Sequence, residues 1–138
     1  MDETGISRGG STDANEALLQ QQATRMLLDR GASDLPAQPW LDERQPPSAT
    51  DIIRHVLWRA NGAGRGDPVD ALDIRAAMTL ISAARAEMDG LETALLFLAR
   101  AEGLAWPQIA ESLGLRSAQA AQQRLDRLFD RSQTRAAG

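Results

Sequence analysis

The run Gly103-Leu-Ala-Trp-Pro-Gln-Ile-Ala-Glu-Ser-Leu-Gly-Leu-Arg-Ser-Ala-Gln-Ala-Ala-Gln-Gln-Arg-Leu-Asp-Arg-Leu128 divides into two helical patterns on either side of one glycine. Pro107 suits the first turn of a helix, where its missing amide hydrogen has no partner to lose, so a short helix is expected over 106–112. Ile109, Ala110 and Leu113 make its inner edge. Helices that cross at a steep angle need a small residue at the contact, and Ala110 supplies one; Gly114, four residues on, supplies a tight turn with positive φ. Ser117 can then accept a hydrogen bond from an orphan amide and start a second helix over 118–132.

At about 100° per residue this second helix sorts its side chains. Ala121, Leu125 and Leu128 share one face and are expected to pack inward, while Gln119, Gln123 and Asp126 point the opposite way with Gln122 beside them. Arg124, Arg127 and Arg131 line one flank, and Arg116 stands in the turn. Guanidinium groups bind the phosphate backbone, the amides of a helix N-terminus add partial positive charge, and a glutamine amide can make two hydrogen bonds to adenine in the major groove. The candidate DNA-contacting residues are therefore Arg116, Ser117, Gln119, Gln122, Gln123, Arg124, Arg127 and Arg131. Asp126 and Asp130 face outward and would be repelled by phosphate, so only the first two turns are expected to enter a groove. Plainer readings stay open beside this one. The Ile109/Ala110/Gly114 pattern also suits an ordinary helical corner, the arginines could pair with acids of the same chain, and the glutamines could be solvated.

The stretch resembles the helix-turn-helix of sigma-70 region-4-like domains and of many bacterial regulators, through Leu104, Ile109, Ala110, Glu111, Leu113, Gly114 and Leu115 and the closing Arg124-Leu125-X-Arg127-Leu128. Asp73–Leu128 is similar to small actinobacterial DNA-binding proteins, among them proteins labelled small-heat-shock-gene transcriptional regulators, which carry a Ser-X-Gln-Ala-Ala-X-Gln-Arg run like Ser117–Arg124 here. The resemblance implies DNA binding and transcriptional or chromosome-organising work, and says little about residues 1–66. Two differences stand out: the turn is one residue longer than the common pattern, and Ala105 occupies the place of the usual Ser or Thr cap.

Outward from this stretch the pattern remains helical. Residues 1–12 read as a disordered tail, Asp13 and Glu16 as a capping box, and 14–30 as a helix carrying Leu18, Leu19, Met26, Leu27 and Leu28. Four prolines between 31 and 49 argue against regular structure there, with Trp40 and Leu41 as possible pins to the core. Ser48 or Thr50 should cap a helix over about 50–60, whose apolar face is Ile52, Ile53, Val56, Leu57 and Ala60. Asp67-Pro68 reads as the start of a long helix over 68–88, Gly90 as a break or kink, and 91–102 as a third helix apolar enough for burial on most sides. The expected organisation is a tail (1–12), N-terminal helices with Pro/Gly-rich linkers (13–66), a helical domain (67–132) with a helix-turn-helix at 106–132, and a second tail (133–138). The fold class is all-α, a helical bundle with a C-terminal helix-turn-helix.

Composition narrows the chemistry. There is no cysteine and a single histidine, His55, so disulfides, thiol nucleophiles and the usual zinc sites cannot be assembled. Neither a phosphate-cradling Gly-X-X-X-X-Gly-Lys nor a Gly-X-Ser-X-Gly motif is present, and no catalytic residue, cofactor or enzymatic activity is expected. No apolar run could span a bilayer and residues 1–11 lack the pattern of a secretory leader, so a cytoplasmic, nucleoid location without a membrane partner is expected. All fifteen basic residues are arginine, and the net charge is −4. Residues 116–138 nonetheless carry five arginines against two acids, so the cationic excess lies at one end. The expected partners are double-stranded DNA and a second copy in a homodimer. A helical interaction module of adaptor or antitoxin type, meeting another protein through the same helices, is the alternative.

Overall fold

The computed structural model describes residues 8–36, 47–62 and 67–137, and every regular element among them is helical. The elements are α1 (Arg8–Asp29), a 3-10 turn (Ala32–Asp34), α2 (Ala49–Ala60), α3 (Ala71–Thr79), α4 (Ile81–Ala101), α5 (Trp106–Ser112) and α6 (Ala118–Ala137). Two compact units divide within α4, after Arg85, whereas the sequence suggested a boundary at 66/67. No helix among the described residues is long and apolar enough to cross a membrane.

Unit one is built on helical spacing. Ala23 and Leu27 of α1, Ile52 and Val56 of α2, and Ala76, Ala77 and Leu80 around the end of α3 bury together with Ala32 and Ala49. The pairs four residues apart each lie on one face of their helix. Ser48 caps α2, its Oγ accepting from the Asp51 amide at 3.1 Å. α3 starts at Asp70 rather than at Asp67-Pro68, because only there do two carboxylates complete a capping box. Asp70 accepts from the Asp73 amide at 3.0 Å, and Asp73 accepts from the Asp70 amide at 3.0 Å.

Asp73 does more than cap. It is the one buried charged residue among those described, and a bare carboxylate there would be costly to desolvate. Arg30, just past α1, reaches it at 3.0 Å and Arg59, near the end of α2, at 3.5 Å. Arg30 also bonds Asp70 at 2.9 Å, and Arg59 donates to the Asp67 carbonyl at 3.0 Å. Three helices are thereby tied at one carboxylate.

Unit two comprises the remainder of α4 with α5 and α6. Its core is Leu96, Ile109, Ala110, Ala121 and Leu128, edged by Ala99, Leu104, Trp106, Leu115 and Leu125. Both turns in it end helices in the same way. The Gly103 amide donates to Arg100 and that of Leu104 to Ala99; the Gly114 amide donates to Glu111 and that of Leu115 to Ala110. These are paired Schellman closures, and they need φ near +87° at Gly103 and +70° at Gly114, a region open to glycine without steric cost.

Several expectations are corrected. α1 begins at Arg8, so residues 8–12 are helical and Asp13 and Glu16 lie inside the helix; once nucleated, a helix extends through polar residues at little cost. The expected helix over 68–88 breaks at Leu80, whose amide is shared between the Ala76 and Ala77 carbonyls. Gly90 does not break α4, since glycine lowers helix propensity without removing a hydrogen bond. α6 runs on to Ala137, through most of the expected tail at 133–138. α4 is not buried on most sides: Leu91, Leu95 and Leu98 are exposed. Residues 1–7 and the Trp40/Leu41 pins lie outside the described residues.

Candidate nucleic-acid interface

α5 supplies the platform. Its first turn carries Pro107, and its N-cap position is Ala105, whose side chain offers no acceptor. Gln108 compensates in part, its Oε1 accepting from the Ala105 amide at 2.9 Å. Trp106 is partly buried beside the core, and the Arg100 guanidinium sits 5.0 Å from its ring centre, a cation–π contact. Arg100 also donates to the Leu104 carbonyl at 2.8 Å, fixing the turn between α4 and α5. Ala110 and Ala121 are both buried, so α5 and α6 approach through small side chains as their positions suggested.

The turn and the start of α6 present the candidate residues. Ser117 Oγ accepts from the Ala120 amide at 3.1 Å and its carbonyl accepts from Ala121 at 3.3 Å, so it caps the helix. Arg116, Ser117, Gln119, Gln122, Gln123 and Arg127 are exposed. Among the described residues, neither Arg116 nor Arg127 makes an ion pair. Their guanidiniums and the three amides form one solvent-facing edge over the first turns of α6, continued by the exposed Asp126 and Asp130.

Two of the three flank arginines, Arg124 and Arg131, pair with acids of the same chain, the alternative that the sequence left open. Arg124 grips Glu92 of α4 as a fork, Nε on one carboxylate oxygen and Nη2 on the other at 3.2 Å. That hydrogen bond raises the Arg124 pKa further above its ordinary value. Arg131 lies 3.3 Å and Arg135 2.8 Å from Asp89. Arg124 and Arg131 are therefore committed to acids of α4, and the free cationic edge is Arg116 and Arg127. Asp89 and Glu92 escaped notice in the sequence. The signal for them is acids three residues apart facing a row of arginines spaced seven and four apart, but only the packing of α4 on α6 selects those acids from the others.

Unit one holds a cleft of about 1010 Å³ lined by Arg30, Arg54, His55, Trp58, Asp70 and Asp73, among others. His55 stacks on Trp58 at 5.8 Å between centres. Burial, reinforced by Arg59, lowers the His55 pKa and so favours the neutral imidazole. Among the described residues no three His, Asp or Glu side chains converge to hold a metal.

No family model, no curated protein and no solved structure matches the chain.

Proposed function

We propose that this protein binds double-stranded DNA through α5, the turn and α6 acting as a helix-turn-helix, and that it works as a transcriptional regulator or a small nucleoid-associated protein. The observation that carries the reading is the exposed edge of Arg116, Gln119, Gln122, Gln123 and Arg127, mounted on a capped helix N-terminus and a buried alanine contact. In this reading Arg116 and Arg127 take phosphates, the helix N-terminus takes a third, and the glutamines reach base edges. Arg124, Arg131 and Arg135 hold α6 against α4, so that the reading edge keeps a fixed angle. One short helix makes few contacts, and regulators of this kind pair two units on half-sites about 34 Å apart.

The test is Arg116→Ala with Arg127→Ala. Mobility shift on random-sequence duplex at low salt should vanish, with helicity by circular dichroism unchanged. Retention of full binding by this variant would remove the reading.

One observation favours a second reading, an adaptor or antitoxin-like module that meets another protein. Leu125 and Phe129 of α6 and Phe97 of α4 line a shallow groove beside Asp126 and Asp130, and acids at that rim suit a basic protein surface better than DNA.

A further inference from the structure

We propose that α4 carries a self-association surface on which a second copy of this chain packs antiparallel, along Met88, Leu91, Leu95 and Leu98. Within unit two, α4 turns Leu96 into the core and sends Asp89 and Glu92 to the arginines of α6. Met88, Leu91, Leu95 and Leu98 stand on another side of the helix and are 61%, 61%, 65% and 56% exposed. At about 100° per residue they fall in one narrow band. Their separations of three, four and three residues are those of the seam between paired helices. Single exposed leucines are ordinary, but a continuous row of four large apolar side chains marks an interaction surface.

The row fits a copy of itself. Its spacing reads the same from either end, which a two-fold interface requires. Antiparallel pairing about the midpoint of the row sets Met88 against Leu98 of the other copy, and Leu91 against Leu95. Ala94 and Ala101 border the seam and allow close approach. Charge at the C-terminal end favours this direction. Glu102 lies in line with the seam just past its C-terminal end, and Arg85 lies near its N-terminal end, both exposed. A parallel pair stacks Glu102 on Glu102; an antiparallel pair brings Glu102 to the Arg85 end of the other copy. Four seam residues are few beside the roughly 20–30 residues a side of a standard interface, so the dimer is expected to dissociate on dilution.

Sedimentation equilibrium of the full chain, without nucleic acid, tests this apart from the DNA reading. The expected result is a monomer–dimer equilibrium. Leu91→Glu with Leu95→Glu should hold the chain monomeric at hundreds of micromolar, with unchanged helicity. Because the chain has no cysteine, introduced thiols report the direction. Under mild oxidation Met88→Cys should cross-link to Leu98→Cys in a mixture, and Met88→Cys alone should not cross-link to itself. A wild-type chain that stays monomeric, a dimer that survives both glutamates, or self-cross-linking at position 88 would each overturn the proposal.

Discussion

Asp73 and Arg124 are both charged residues held by opposite charge, and their surroundings give them different weight. Asp73 is buried and answers to two guanidiniums and a backbone amide, so Asp73→Ala takes the shared carboxylate from Arg59 and Arg30, leaving them the Asp67 carbonyl and Asp70, and removes one of the two bonds of the capping box. Breaking such a buried pair costs about 3 kcal/mol, and chemical denaturation should show unit one weakened by that amount. The Arg124 side chain is 42% exposed against 15% for Glu92, and a pair open to water contributes at most about 1 kcal/mol. Arg124→Ala should therefore lower stability slightly and leave the salt dependence of duplex binding as in wild type. Arg127→Ala should do the reverse, reducing that dependence by about 0.9 log unit per log unit of salt for the phosphate lost at unchanged stability. Sequence alone could not separate these arginines. Arg124, Arg127 and Arg131 share a flank by helical periodicity, and only the acids of α4 distinguish a clamp from a free cation.

At the scale of elements, what the sequence made legible followed from local chemistry. Ser48, Ser117 and Gly114 start or stop helices through hydrogen bonds within a few residues, and each acts where its side chain or backbone suggested. The break at Leu80 involves neither glycine nor proline; it arises where Leu80 turns into the core of unit one, which is a matter of packing between distant residues. The opposite case is Gly90, where a breaker residue breaks nothing. A Cβ there meets open space, so Gly90→Ala should stabilise the helix by about 1 kcal/mol, readable as a raised midpoint in thermal unfolding. The apolar count of α4 misled for a related reason. Leu91, Leu95 and Leu98 share a periodic face, but periodicity does not say whether the chain itself covers that face.

Over the whole molecule, charge and protonation set the conditions under which the protein holds together. Burial pushes the Asp73 carboxyl up, but the Asp70 amide and Arg30 outweigh it and hold the pKa below 3.8. A depressed carboxylate contributes stability above its unfolded value and loses it as pH falls through the folded one. Burial, then Arg59, sets the His55 pKa below 6.5, and that contribution too is complete above 6.5 and declines below it. Calorimetry across pH should show stability falling in two stages on acidification, the first beginning just under pH 6.5 and absent in His55→Gln, the second below pH 3.8. Residues 116–138 carry five arginines against two acids, but Arg124, Arg131 and Arg135 are paired with Glu92 and Asp89, so in the proposed reading a duplex is met by Arg116, Arg127 and the α6 N-terminus rather than by a broadly basic end. The most direct measurement is fluorescence anisotropy of a labelled random duplex titrated with the full chain at several salt concentrations. Two or three phosphate contacts per unit predict a log–log slope of about −2 to −3 per unit bound. A slope near zero, or no binding at the lowest salt, would contradict the account.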